Sequence, residues 1–520
     1  MKKSLWGIVL AAMTACSLAA CSTATTSSNN ETTTAAAQTT AAETTEAKAT
    51  EPGEVLGISA MARVNAVYHQ IEAVFIEYNT EVVAPDIDGF TVEDFATADY
   101  RDGNENRPSS IAPITAVYTN NAPELRVDKT SVEGKYIVVE LEPTTHCVEE
   151  DGVYKPNHCA GLCTWRLKDD TCEWIRDDFS KFKVTQNVDV LDAQGNVVVA
   201  AGEIPALDAE HVATPDISAF ENKVLENFDG NNNSIYYTLY LPEDYDSSRK
   251  YPLLFNSPGN GGRLNYEQQN DKGEFVTAGA VVTRDRVAVT AAEYNKDTII
   301  VSPQTWLNQP EDWKYDDLAA ALYLVDYMKD NYSVDENRIY AIGSSYGTML
   351  VSRMINARPD LFAGYVQYNG CWSLQNIAPD ETWLSVYEKN DPESRDGMQI
   401  FKGYTLDAAL EVMHANRLDD LSHAKELLRP VAEAKVPIYI WHAVNDETIA
   451  FMYGVSPYET LTELYREEGL TPAEITRLVQ LRPVEDPEYW AAGIAKRHSC
   501  SKLAATYPEA IQWLFRQEKK

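Results

Sequence analysis

The stretch Asn337-Arg338-Ile339-Tyr340-Ala341-Ile342-Gly343-Ser344-Ser345-Tyr346-Gly347-Thr348-Met349-Leu350 constrains this chain more than any other. An apolar run passes through Gly-x-Ser-x-Gly into a segment of helical character. The pattern predicts a strand that turns sharply into a helix. Glycines at 343 and 347 let strand and helix approach closely, and the serine between them is left on a strained turn with its hydroxyl exposed. Ser345 is therefore the candidate nucleophile. The bare pattern also occurs by chance; the strand before it and the helix after it give it weight.

The surroundings fit such an element. Strand-like runs at 235–241, 252–256, 298–301, 338–342, 364–368 and 437–443 alternate with helical stretches at 316–331, 347–357, 406–415 and 503–516. Alternation of this kind implies a mostly parallel sheet covered by helices. Between Glu54 and Asn227 the period is mostly two. Ile71–Tyr78, Ile114–Tyr118, Tyr136–Leu141 and Val184–Val190 read as strands separated by Gly, Asn and Asp, which suggests a β-sandwich. The boundaries expected are a β-sandwich over 54–227 and an α/β domain over 228–520.

A serine hydroxyl attacks poorly until a base takes its proton, so an acid and then a histidine should follow in the chain. Asp446 stands in the turn after the apolar run Val436–His442. His498 is the only histidine beyond it. Glu447 is a rival for the acid, since either carboxylate can orient an imidazole. His442 precedes the acid and reads as a strand-end packing residue. The developing oxyanion needs backbone donors; the N–H of Tyr346 is one, and the glycine loop after Tyr251–Ser257 offers Gly259 and Asn260. That loop is not a phosphate cradle, because no lysine follows it as a P-loop requires. Such a site calls for no metal and no cofactor. Trp306, Trp313, Trp372 and Trp441 fall near strand ends, either as buried packing or as walls of an aromatic pocket.

The ends of the charge and length ledger exclude other classes. With 44 Lys+Arg against 79 Asp+Glu the net charge is −35. No cationic run is present to track phosphates, so no nucleic-acid partner is expected. Residues 1–20 read as a signal peptide, with Lys2 and Lys3 ahead of a short apolar run. Leu18-Ala19-Ala20-Cys21 resembles the lipobox of bacterial lipoproteins, which makes Cys21 the lipidated residue and the membrane a partner through that anchor. From 22 to 51, 22 of 30 residues are Thr, Ala or Ser. Such a composition buries no core, so 21–53 reads as a tether at the cell surface. Cys147, Cys159, Cys163 and Cys172 cluster in the first domain. Export favours two disulfides there; with His146 and His158 nearby, zinc is the alternative.

The run Tyr236-Thr238-Leu239-Tyr240-Leu241-Pro242-Glu243-Asp244-Tyr245 with Lys250-Tyr251-Pro252-Leu253, then Val334-Asp335-Asn337-Arg338-Ile339-Tyr340 before Gly343-x-Ser345-x-Gly347, and Arg358–Ala363 after it, resembles a known family. It is similar to the secreted α/β-hydrolase esterases related to polyhydroxybutyrate depolymerases and feruloyl esterases, over about residues 234–518. The resemblance implies Ser345 as nucleophile, Asp446 as acid and His498 as base. It also implies an immunoglobulin-like β-domain at the N-terminus. Members commonly carry His-Gly in the oxyanion loop, where this chain has Asn256-Ser257-Pro258-Gly259.

On that fold Cys371 and Cys500 would meet near the catalytic rim, and a disulfide pinning the histidine loop is expected, similar in effect to the bridge of tannase-like esterases. The activity expected is an extracellular, lipid-anchored serine carboxylesterase acting on acyl or hydroxycinnamoyl esters of plant polysaccharides. A serine peptidase of the prolyl-oligopeptidase type shares triad and fold, but its propeller-sized N-terminal domain exceeds the one here. A non-catalytic surface-binding lipoprotein is the third reading, opposed by the intact triad. Oligomeric state is not legible.

Overall fold

The computed structural model describes residues 53–65, 68–94, 110–157, 165–168, 173–176, 182–262, 264–265, 286–308, 315–372, 405–415 and 422–519. The signal, Cys21, the tether through residue 52, and Cys159, Cys163 and Cys172 lie outside them. The described residues from 53 to 519 belong to one compact unit.

Its N-terminal part is a sandwich of two sheets. One has the spatial order Val212–Ala213, Val55–Asn65, Tyr68–Tyr78, Tyr136–Leu141, Ile114–Asn120; the other runs Gly202–Glu203, Lys183–Gln186, Phe90–Asp94, Ser110–Ile111. Period-two patterning explains the packing. Along Val55–Asn65 every second residue from Ile58 to Val64 is buried. Ile76, Tyr78 and Val139 from the first sheet meet Phe90, Val92 and Val184 from the second in one apolar cluster. The Tyr78 hydroxyl donates to Gln186 Oε1 across the gap (2.9 Å), so the buried phenol is satisfied rather than orphaned.

The second part is an eight-stranded sheet, numbered here in chain order: β1 Phe220–Leu225, β2 Ile235–Tyr240, β3 Tyr251–Ser257, β4 Ile299–Gln304, β5 Val334–Ser344, β6 Gly364–Tyr368, β7 Ile438–Ala443 and β8 Val479–Val484. The spatial order is β1-β2-β4-β3-β5-β6-β7-β8. β2 is antiparallel to both neighbours, and β4-β3-β5-β6-β7-β8 pair in parallel. A parallel sheet is covered on both faces, so its strands read as continuous apolar runs. Leu253 and Phe255 of β3, with Ile339 and Ala341 of β5, face a layer of helices at 317–331, 346–357, 422–434 and 452–467. Leu254, Tyr340 and Ile342 face the opposite layer, at 287–294, 486–491 and 509–514.

Two edge strands escaped the sequence reading. β1, Phe-Glu-Asn-Lys-Val-Leu, lies before the boundary expected at 227, yet it pairs residue for residue with β2 and belongs to the α/β sheet. Its exposed, half-polar pattern belongs to an edge, not a core strand. β8 contains Pro483, which cannot donate to a ladder and is tolerated because β8 has a neighbour on one side only.

Among the described residues, Val64 of the sandwich is buried in the apolar cluster of the α/β part, and polar and aromatic contacts add to it. Arg63 pairs with Asp216 at 2.9 Å, and Asp216 also accepts the Val64 N–H. The hairpin Cys147–Glu150/Val153–Pro156 stacks Tyr154 on Trp490, ring centroids 3.5 Å apart. Among the described residues no helix is long and apolar enough to cross a membrane.

Candidate active site

Ser345 sits where β5 meets the helix Tyr346–Ala357, with φ 51° and ψ −121°. A non-glycine residue held at positive φ stores strain that the surroundings must over-determine. Here the Ser345 N–H donates to Tyr368 O on β6 (3.0 Å), and Ser345 O accepts the Thr348 hydroxyl and N–H (2.6 and 3.0 Å). The two motif glycines permit the turn for steric reasons. A Cβ on Gly347 would stand 2.1 Å from Ser257 O at the end of β3, and one on Gly343 2.7 Å from Thr348 Cα.

His498 and Asp446 converge on this serine from β-strand ends and loops distant in sequence. His498 Nε2 is 2.8 Å from Ser345 Oγ, and its Nδ1 is 2.9 and 3.0 Å from the two Asp446 oxygens. Asp446 is buried, and its Oδ1 also accepts the N–H groups of Thr448 (2.8 Å) and Ile449 (3.0 Å). A carboxylate on Nδ1 keeps the proton there and leaves Nε2 to accept from the serine hydroxyl. Glu447, the rival acid, does not reach the imidazole; its Oε2 accepts the backbone N–H of His498 at 3.3 Å. Burial, and next the charge of Asp446, hold its carboxyl above the usual range. His442 is fully buried, donates from Nε2 to Ile449 O (2.9 Å) and is kept neutral by that burial.

The oxyanion candidates lie beside Ser345. Tyr346 opens the helix after Ser345. Gly259 faces the serine closely: a Cβ there would be 3.2 Å from Ser345 Cβ and 3.8 Å from Oγ. Asn260 begins the short 3-10 turn Asn260–Gly262. An aromatic lining is not formed by Trp372 or Trp441, which are buried in the cores on opposite faces of the sheet. Trp313 and the side chain of Trp306 lie outside the described residues.

The disulfide expected between Cys371 and Cys500 is corrected. Cys371 and Cys500 are both free and buried. Cys500 belongs to the apolar cluster that holds Tyr368, whereas Cys371 is bonded through its backbone to Thr348 of helix 346–357, in the layer packed on the other face with Tyr365. Three residues apart on β6, these tyrosines point to opposite faces, one into each core, so the sheet separates the two thiols. Burial pushes each thiol up to about 12, far from reactive thiolate chemistry. Cys147 is also free, at the start of the sandwich hairpin, and its three candidate partners lie outside the described residues. Among the described residues no group of three or more His, Cys, Asp or Glu could hold a metal ion.

Sequence reasoning missed the residues that hold this arrangement. Thr348 accepts the Cys371 N–H (3.0 Å) while donating to Ser345 O, and Asn369 bridges strand ends around the site. Asn369-Gly370 is a legible turn signal at the end of β6. What the amide would bond to was not legible, because its partners are 74 and 128 residues away.

The sequence pattern of the esterase Ig-like N-terminal domain matches residues 57–199, and that of the prolyl oligopeptidase family matches 304–468. Among curated proteins, dipeptidyl-peptidase 5 of Porphyromonas gingivalis is 26% identical over 206 residues, 37% of this chain and 28% of that one. A probable acetylxylan esterase A of Aspergillus flavus is 28% identical over 102 residues, 15% of this chain and 33% of that one. The chain thus spans about a third of the length of the curated relatives it matches. A solved thermostable esterase superposes with a TM-score of 0.57 at 21% identity, over 89% of this chain and 100% of its own. The chain therefore joins an immunoglobulin-like β-sandwich to a domain of α/β-hydrolase fold.

Proposed function

We propose that this protein is a serine carboxylesterase in which Ser345 is the nucleophile, His498 the general base and Asp446 the orienting acid. The single observation that carries the reading is the continuous chain from Asp446 through His498 Nδ1 and Nε2 to Ser345 Oγ, each link 2.8–3.0 Å. As Ser345 attacks an ester carbonyl, His498 takes its proton and then passes it to the departing alcohol. The N–H groups at Tyr346 and the Gly259–Asn260 loop hold the oxyanion. Water, deprotonated by the same imidazole, then releases the acyl group. No cofactor takes part in these steps.

An ester substrate is favoured by the sandwich of esterase type at the N-terminus. The hydroxycinnamoyl or simple acyl specificity, and a polysaccharide-linked alcohol, follow from the resemblance to feruloyl esterases and agree with a relative named as an acetylxylan esterase. The lipobox-like Leu-Ala-Ala-Cys and the Thr/Ala/Ser tether support an exported protein anchored at the membrane through Cys21. A peptidase of the prolyl-oligopeptidase type is the second reading, favoured by the family match over 304–468 and by the dipeptidyl-peptidase relative.

A panel of p-nitrophenyl acyl esters, methyl ferulate and peptide amides, run on the wild type and Ser345→Ala, separates the readings. Ester turnover lost in the variant is the expected result. Amide turnover without ester turnover would make it a peptidase, and activity that survives the alanine would remove Ser345 from its role.

A further inference from the structure

The histidine loop needs something other than a disulfide to hold it, and one buried amide stands where that tether was expected. Asn369 directly follows β6 with φ 40°, a left-handed conformation that asparagine tolerates better than most residues, and it is 1% exposed. Its backbone N–H donates to Trp441 O on β7 (2.9 Å). Its side-chain oxygen accepts the Ala443 N–H (2.8 Å), also on β7 and three residues before Asp446. Its Nδ2 donates to Arg497 O at 2.6 Å.

The last bond reaches the peptide unit that carries the base, because the carbonyl of Arg497 and the N–H of His498 belong to one planar group. That N–H is held from the other side by Glu447 Oε2, at 3.3 Å. Both polar atoms of the peptide entering His498 are therefore bonded by side chains, one from the end of β6 and one from the acid turn. A single amide ties the strand of the acid to the loop of the base, and β6 itself receives the Ser345 N–H at Tyr368 O. Only an uncharged amide performs both tasks: a carboxylate would accept from Ala443 but face the Arg497 carbonyl with a second acceptor, and an aliphatic side chain would do neither.

We infer that Asn369 is a positioning residue that sets His498 against Ser345 and Asp446, an inference that rests on the proposed triad. The geometry demanded of a general base is strict, and misplacement by about 1 Å can cost on the order of a hundredfold in rate.

The test uses two variants of the full chain. Asn369→Gly keeps the left-handed backbone and its N–H bond to Trp441 but removes both side-chain bonds; Asn369→Asp keeps the shape and the bond from Ala443 but loses the donor to Arg497. Each is first shown to be folded by its circular dichroism and melting curve. The expected result for both is a kcat roughly tenfold to a hundredfold lower, a KM within about twofold, and a matching fall in the rate of Ser345 labelling by a fluorophosphonate. If side-chain shape alone mattered, Asn369→Asp would restore wild-type rates. Either folded variant with kcat and labelling rate within about twofold of wild type overturns the inference, even if its melting temperature has dropped. Where Asn369→Gly does not fold, Asn369→Asp decides. A wild type that the fluorophosphonate does not label at Ser345 would instead overturn the triad, and the positioning role with it.

Discussion

His498 Nδ1 lies 2.9 Å from Asp446 Oδ1 and 3.0 Å from Oδ2, across 52 residues of chain. Because Oδ1 also accepts two backbone N–H groups, the carboxylate cannot swing away from the ring. Asp446→Asn should keep the shape but present an amide donor to Nδ1, forcing the proton onto Nε2 and leaving nothing to take the serine proton. The expected result is a kcat lower by about 10³–10⁴-fold with KM little changed, measured on a p-nitrophenyl ester. A loss under about tenfold would show that the acid is elsewhere.

Two glycines near Ser345 should fail in different ways. Gly347→Ala places a Cβ 2.1 Å from the fixed backbone oxygen of Ser257, so the helix and β3 must separate; a large fall in melting temperature or insoluble protein is expected. Gly259→Ala meets Ser345 Cβ at 3.2 Å and the Ser344 carbonyl oxygen at 3.5 Å, a milder crowding, and should fold while losing about tenfold or more in kcat. Calorimetry and kinetics on the same preparations distinguish the two patterns, and a reversed order would contradict the packing described.

Glu447 carries a pH signature. Its carboxyl is raised by burial first and by the charge of Asp446 second, so its folded value lies above the unfolded one of 4.5. A carboxyl shifted this way favours the folded state below pH 4.5, and that contribution is lost as pH rises through the folded value. Glu447→Gln removes the cost of the buried charge while its amide oxygen can still accept from the His498 N–H. Its melting temperature should exceed that of the wild type by about 1–3 °C at pH 7 and match it near pH 4. An advantage that grew toward acid pH would have the wrong sign.

The two buried thiols should be silent. Dithiothreitol should change neither melting temperature nor the rate on a p-nitrophenyl ester through Cys371 and Cys500. Alkylation should reach both cysteines only after denaturation, with Cys371 and Cys500 recovered on separate, unbridged tryptic peptides. A bridged pair in the non-reduced digest would reverse this.

Much of the fold was legible because its strongest elements are written in local pattern. The apolar runs of β2 to β7 are buried on both faces, and Gly-x-Ser-x-Gly marks the one turn where β5 and its helix approach so closely. The edge strands β1 and β8 were obscured by polar residues and, in β8, by Pro483. The hairpin that puts Tyr154 on Trp490 had no readable partner, since a short strand does not name the surface it will meet.

By itself, the sequence determined that residues 343–347 form a strained strand-to-helix turn bearing a serine, and that an acid and one histidine follow it in workable order. Steric limits and chemical order are local facts, so they survive without coordinates. Only the tertiary structure decided which carboxylate faces His498, since Asp446 and Glu447 are adjacent and differ in direction rather than in kind. It likewise decided that the sheet stands between Cys371 and Cys500 while Asn369 joins the loops. Those outcomes depend on which face of β6 each neighbour packs against, a choice made by long-range burial that no run of adjacent residues encodes.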